Sequence, residues 1–262
     1  MFGSLTSLIS LFASVRIQLE IVLTAHRFVN AGFMGRSLCS QDFLPHDSLP
    51  CDTEAWDRGE LAPSEPIFVT AATSVKTDSF GRLCQMGLLL GRILEHRDDQ
   101  HTLNGVDRFE NALQLNRTLR SLLSKVKKEF ASGSSDYGLS VCLGFTAMVA
   151  LHELYACTGT NRGTNTVQET EMQTISIKEL KSLTAEIRSH LVQWLDKRLN
   201  LCDIGPLACN CIYQAAATSA WYARESGDSW MQESHGIFVN ALEQIQPRWA
   251  VAGEEVRLLF LI

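Results

Sequence analysis

The chain holds eight cysteines in 262 residues but no Cys-x-x-Cys, the close spacing from which structural zinc sites are commonly built. Cys202, Cys209 and Cys211 come nearest to a metal signature, in a segment that otherwise reads as helix. Cys209 and Cys211 would serve as a thiol sensor only if exposed and of low pKa. Cys39, Cys51, Cys84, Cys142 and Cys157 stand singly and read as small buried residues in a reducing compartment. His152-Glu153 begins a zinc-protease helix, but the residue four after His152 is an alanine, so the pair reads as buried or half-buried polar residues. His96-Arg97-Asp98-Asp99-Gln100-His101 gathers metal-capable side chains without a second cluster to complete a shell, and reads as a polar loop between helices. A nucleophile elbow, a phosphate-binding glycine loop and a dinucleotide fingerprint are also missing. Nothing here marks an enzyme, and no cofactor is expected in this chain.

Positive charge is scarce as well. There are 23 Lys+Arg against 29 Asp+Glu, a formal net charge of -6, whereas nucleic-acid affinity comes mainly from neutralising phosphates. The densest basic group, Arg117, Arg120, Lys125, Lys127 and Lys128, reads as one solvated helix face. Long uninterrupted apolar runs are lacking too. The N-terminal stretch is broken by Arg16, Gln18 and Glu20 before it is long enough to span a bilayer, and it has no basic segment ahead of it. Leu139 to Cys157 is apolar nearly all round but contains His152 and Glu153, which suits a central core helix better than a membrane span. Asn116-Arg117-Thr118 matches a glycosylation sequon inside a helical segment and reads as chance.

Helical periodicity is what the chain does have. Apolar residues recur at three and four over 4–31, 71–95 (Leu83, Met86, Leu90, Ile93, Leu94), 106–130 with a disturbance near 115–119, and 180–195 (Leu180, Leu183, Ile187, Leu191, Trp194, Leu195). Gly87 and Gly91 lie four apart and would let a neighbour come close. Thr158 to Thr170 reads as a mobile connection. Pro206 suits a helix start. The segments 206–223 and 230–259 read as further helices, separated by Glu225-Ser226-Gly227-Asp228 and kinked at Pro247. No run alternates as a strand does. The expected class is all-α, an irregular helical bundle or solenoid of about seven helices, with an apolar helix over 1–24 and a helical domain over 25–262. At 45% hydrophobic the chain can bury one substantial core. No cap or turn residue closes Leu258-Leu259-Phe260-Leu261-Ile262, so the natural chain is expected to continue.

The residues most suggestive of a role run from His26 to Trp56. A helix-like segment passes Gly32 and Gly35 with Arg36, then enters a loop where Pro45 and Pro50 alternate with Asp42, Asp47 and Asp52. Prolines so close favour one extended path, and Arg27 and Arg36 are the nearest fork-shaped donors for the aspartates. An arginine–carboxylate clasp tying the loop to the preceding helix is expected.

This pattern resembles the second half of the fungal-specific transcription factor domain, the central regulatory region of fungal zinc-cluster transcription factors. In that family an Asp-Arg pair on a helix precedes a Leu-Gly-Arg-Pro turn, then acidic residues closing on Leu-Pro and often a tryptophan. The counterparts are His26-Arg27, Met34-Gly35-Arg36-Ser37, Asp42 and Asp47, Leu49-Pro50-Cys51-Asp52 and Trp56. Arg248-Trp249-Ala250-Val251-Ala252-Gly253-Glu254 is similar to the Arg-Trp-x-x-Ala-Gly-Glu segment of the family's last helix. His26 replaces the usual Asp and Ser37 the usual Pro. Residues 1–24 lack the tryptophans the family tends to show there. The resemblance implies a non-catalytic, nuclear regulator that meets co-regulator proteins or a small-molecule effector. DNA contact would come only through a zinc-cluster domain missing from this chain, and the family's zinc is not expected here. A cytoplasmic location, a helical adaptor or small-molecule-binding domain without transcriptional output, and an enzyme with an unrecognised site are the alternatives. Trp221, Trp230 and Trp249 all fall in the last helices. They read as core anchors, or as the walls of a ligand pocket.

The clasp makes a direct prediction: Arg36→Ala lowers the melting temperature. A variant as stable as the parent in a thermal melt removes the clasp.

Overall fold

The computed structural model describes residues 49, 75, 77–98, 105–131, 138–156, 167–196 and 205–259. Among the described residues there are seven helices and no strand: α1 Ser79–Asp98, α2 Gly105–Ala131, α3 Gly138–Ala156, α4 Val167–Asp196, α5 Pro206–Ser226, α6 Ser229–Ile245 and α7 Ala250–Leu259. The all-α class expected from periodicity is what the chain adopts. Contacts divide it into two compact units, residues 1–101 with 117–144, and residues 102–116 with 145–262.

In the first unit, Asp78 begins α1 by accepting the Gly81 N–H on its Oδ1 at 2.7 Å, which satisfies one of the donors that every helix start leaves open. The apolar stripe of α1 then buries Met86, Leu90, Ile93 and Leu94, as its spacing requires. Arg82 falls in the same register and has no exposed surface. Its guanidinium can be buried only because acceptors surround it. Nε and Nη2 donate to the two carboxylate oxygens of Glu129, each at 3.0 Å, Nη1 to Gln85 Oε1 at 2.9 Å, and Nη2 also to the Val75 carbonyl at 2.8 Å. This two-pronged grip holds α1 to α2 with a geometry that lysine could not reproduce. The start of α3 joins them: Ser140 Oγ donates to the Ser79 carbonyl at 3.3 Å. Gly144 then comes so near that a Cβ there would stand 2.8 Å from Leu123 Cδ1 and 3.1 Å from Met86 Cε.

α2 runs unbroken for 27 residues, so the disturbance expected near 115–119 is corrected. Ala112, Leu115, Leu119, Leu122, Leu123 and Val126 are all buried, an apolar stripe at three and four with no gap. Asn116 is only 9% exposed on this helix, in keeping with the sequon being chance. α3 is long and apolar enough to cross a membrane, yet most of it is buried inside the protein, as expected for a core helix.

In the second unit α4 begins at Val167, so it takes in the last four residues of the segment read as a mobile connection. The helix extends back because Met172 and Ser176 continue its buried face. Leu180, Leu183, Ile187 and Leu191 are buried as their spacing predicted. α5 starts at Pro206 after Gly205, since proline lacks only a donor that the helix start leaves unused. It stops at Gly227, whose φ of 64° is a left-handed conformation that glycine adopts without a Cβ penalty. Asp228 immediately opens α6, accepting the Trp230 and Met231 N–H groups on Oδ1 while Oδ2 takes Lys181 Nζ at 2.7 Å. These bonds hold the Asp228 carboxyl below its usual range, the Lys181 contact contributing most. Pro247 marks a break, not the expected kink: α6 ends at Ile245, a turn follows, and α7 begins at Ala250, since proline cannot supply the N–H that a continuing helix needs.

α5, α6 and α7 pack mutually, and α4 packs against α5 and α6. The Tyr222 hydroxyl donates to the Ile177 carbonyl of α4. Arg188 on α4 donates to Glu233 Oε1 at 2.7 Å and Ser234 Oγ at 2.9 Å on α6, and its guanidinium carbon lies 4.8 Å from the Trp230 ring centre.

The Arg82 grip is the interaction of the first unit with most to lose. Arg82→Ala leaves Glu129, Gln85 and the Val75 carbonyl without their shared donor, and is expected to cost roughly 3 kcal/mol, read as a lower urea midpoint. A loss below about 0.5 kcal/mol, the range of ordinary surface substitutions, would show that the pair holds nothing.

Candidate functional site

The sequence placed its strongest functional signal at Arg27, Gly35, Arg36, Asp42, Asp47, Pro50 and Trp56. These positions, and the clasp with them, lie outside the described residues. Leu49 is the described member of that loop, and only 2% of it is exposed. Trp249 stands at the turn before α7, half-buried. Its backbone N–H reaches the Ile245 carbonyl and its own carbonyl accepts from Ala252, so it both closes α6 and opens α7. The Arg248 guanidinium carbon is 5.7 Å from its ring centre.

The other tryptophans have separate surroundings. Trp221 is half-buried with its ring edge-on to Tyr222 at 4.8 Å, while Trp230 is 38% exposed beneath Arg188. An indole under a guanidinium is held by cation–π attraction worth about 0.5–1 kcal/mol at an exposed site. Trp230 therefore has a partner within the chain and belongs to the surface of α6.

The electrostatically unusual groups of the second unit lie elsewhere, on α3, α5 and α7. Glu255 sits on the buried stripe of α7 with Ala252, Val256 and Leu259, and is 2% exposed. Its Oε2 is buried without a hydrogen-bond partner. Burial alone pushes this carboxyl up to about 8, since a charge removed from water with nothing to receive it is strongly disfavoured. Tyr213 on α5 responds to it: burial raises the phenol above its usual value, and the charges of Glu255 and Glu153 add to the effect. Glu153, on α3, is crowded by protein atoms that push it up to about 7, yet its side chain is open to solvent. Water that reaches a carboxylate screens this effect, so Glu255 is the stronger anomaly. Burial thus moves two acids toward neutrality, and Tyr213 feels the charge of both.

His152 is fully buried, and its Nδ1 lies 3.1 Å from Ser176 Oγ, itself fully buried, on α4. A histidine beside a serine is the beginning of a nucleophile and base, but a substrate cannot reach a pair without exposed surface. The contact ties α3 to α4. Gln173 Nε2 does the same by donating to the Ala156 carbonyl at 3.1 Å. On α2, the Arg108 guanidinium carbon lies 5.0 Å from the Tyr155 ring centre, and Phe109 packs against Tyr155 at 5.8 Å between ring centres.

Among the described residues, no group of three His, Cys, Asp or Glu side chains could hold a metal ion. Cys209 and Cys211 are buried, 0% and 3% exposed, so the exposure a thiol sensor needs is not met. Cys84 and Cys142 are free and buried too, and desolvation, with the nearby Asp78 charge adding to it, pushes the Cys84 thiol well above the usual range. Cys202 lies outside the described residues.

No family model, no curated protein and no solved structure matches this chain.

Sequence reasoning missed Arg82, Glu255 and the influence of the Glu153 charge on Tyr213. A signal existed for the first two: each is a charged residue at the register of an otherwise apolar helical stripe, next to residues that periodicity correctly buried. Glu153 and Tyr213 are sixty residues apart on different helices, and no local pattern joins them.

Burial of the thiols gives a testable outcome. In native protein treated with iodoacetamide and mapped by mass spectrometry, Cys84, Cys142, Cys209 and Cys211 stay unmodified, and they react only after denaturant is added. Rapid native labelling of Cys209 or Cys211 would restore the thiol-sensor reading.

Proposed function

We propose that this chain is a non-catalytic, all-helical regulatory domain of the kind found in fungal zinc-cluster transcription factors. It works in the nucleus by engaging co-regulator proteins or a small-molecule effector. Two sequence segments support the reading, His26 to Trp56 and Arg248 to Glu254. The observation that carries it furthest is how the second segment folds. Trp249 caps a short helix whose apolar side rests on α5 and α6, and whose outer side exposes Glu254 and Arg257, paired at 2.8 Å. The motif therefore serves to seat a helix, which is a conformational role. Trp221 and Trp230 do not need to touch a ligand for this reading to hold.

A domain of this kind acts by biasing a conformational equilibrium, so an effector must prefer one state over the other. DNA contact belongs to a zinc cluster outside these residues, in keeping with the net charge of -6. The fully buried His152–Ser176 pair favours regulation over catalysis at this meeting of a hydroxyl and a base.

The deciding experiment fuses residues 1–262 to an unrelated DNA-binding domain above a reporter gene in a fungal host. The expected outcome is a several-fold change in reporter output relative to the DNA-binding domain alone, lost in an Arg82→Ala fusion expressed at the same level. Unchanged output across carbon and nitrogen sources, together with exclusion of the tagged chain from the nucleus, would favour a cytoplasmic adaptor.

A further inference from the structure

The Glu255 carboxyl is a charge-capable group placed where a charge cannot be supported. It lies on the face that α7 turns toward α5 and α6, in register with Ala252, Val256 and Leu259. Its Oε2 is buried and meets no donor.

Among the described residues, the groups around it offer no counter-charge; Arg248, in the turn before α7, is exposed with its guanidinium carbon 5.7 Å from the Trp249 ring centre. α5 brings Tyr213, an acidic phenol, and beyond it stands Glu153 of α3, a second acid. The titratable groups of α6 are Glu233, His235 and Glu243. Glu233 is engaged by Arg188 at 2.7 Å, His235 places Nδ1 3.1 Å from the Ala216 carbonyl of α5, and Glu243 is exposed. On α7 itself, Arg257 is spent on Glu254 at the surface. Arg224, at the far end of α5, is exposed beside Glu225.

We propose that Glu255 is a proton-operated latch: α7 stays seated on α5 and α6 while this carboxyl is neutral, and lifts from them when it ionises. The attachment suits such a movement. α7 is only ten residues long and joins α6 through the turn broken by Pro247. Such a short helix owes its order to the apolar face it buries and not to its own hydrogen bonds. Gly253 admits the Gln246 side chain of that turn to within 2.9 Å of where a Cβ would stand. Gln246 is exposed and its side chain flexible, so this contact does not oppose release.

The direction follows from proton counting. A released Glu255 ionises near the ordinary value of 4.5, whereas the seated one holds its proton to about 8. Between those values the released state carries one proton fewer. Seating is therefore strongest in acid, weakens as pH rises from about 4.5, and stops changing once the seated group has also ionised, near 8. Over that window the seating equilibrium falls by at most about tenfold per pH unit. An effector that donates a hydrogen bond or a positive charge to Glu255 would compete with the proton for the same oxygen.

The test is hydrogen–deuterium exchange of the full chain between pH 5.5 and 9, corrected for the intrinsic pH dependence of exchange. Protection of residues 250–259 is expected to fall steeply across this range while that of 206–226 in α5 holds. Glu255→Gln, which is neutral at every pH, is expected to keep α7 protected throughout. Glu255→Met guards against a specific failure of the amide to pack. A carbon-13 titration of the wild-type glutamate carboxyls reads the group directly. PH-independent protection in the wild type, a Gln variant that still loses protection, or a Glu255 carboxyl titrating near 4.5 would each overturn the latch. Transfer of the whole effect to Glu153→Gln would overturn it in favour of the acid on α3.

Discussion

A charged or polar group can be enclosed by protein only where something meets it, and this constraint decides how these helices are joined. Arg82 is the clearest case, a guanidinium with no exposed surface held by Glu129, Gln85 and the Val75 carbonyl. Truncating one partner would leave several groups stranded, so the pair enforces one arrangement of α1 against α2 more than it adds stability. In the other unit the same need is met by Ser176 for His152 Nδ1 and by the Ile177 carbonyl for Tyr222, while nearer the surface Lys181 and two backbone N–H groups meet Asp228. Apolar burial brings the helices together without fixing a rotation or an offset. Directional bonds of this kind supply both.

Among the acids of the described residues, Glu255 has a buried carboxylate oxygen that no donor meets, a departure that the constraint itself makes intelligible. Where no partner arrives, a carboxyl escapes the cost of burial by keeping its proton, and the structure then carries a group whose charge is conditional. The proposed regulatory role and the latch meet at one segment, since Arg248 to Glu254 leads directly into Glu255. They remain separable, because the latch concerns whether α7 stays seated, and the reporter concerns what the whole domain does to transcription.

Much of the fold was legible in the sequence. The three-and-four spacing of Met86, Leu90, Ile93 and Leu94, or of Leu180, Leu183, Ile187 and Leu191, is a local property, and those residues are buried as it requires. The helix start at Pro206 was legible for the same reason, since proline acts on its own backbone, and the separator read at 225–228 contains the observed stop at Gly227. Errors came where local composition competed with packing. Val167 to Thr170 looks like linker, yet continues α4 because Met172 and Ser176 need that face covered. Pro247 permitted either a kink or a break, and the backbone donors of Arg248 and Trp249, turned back to the Ile245 carbonyl, made it a break. The partners of Arg82 and Tyr213 lie 47 and 42 residues away, Glu129 and Glu255. No periodicity in one segment can report a pairing across that distance.

Gly227 also bears on the order in which the second unit assembles. With α5 ending at Ser226 and α6 starting at Ser229, two residues separate the helices, and the left-handed backbone at Gly227 reverses the chain within that span. Closing so short a loop forfeits little chain entropy, so α5 and α6 can find each other before any contact with α4 is made. Nascent chains that contain this hairpin would therefore hold the surface on which α7 later settles while that helix is still being added.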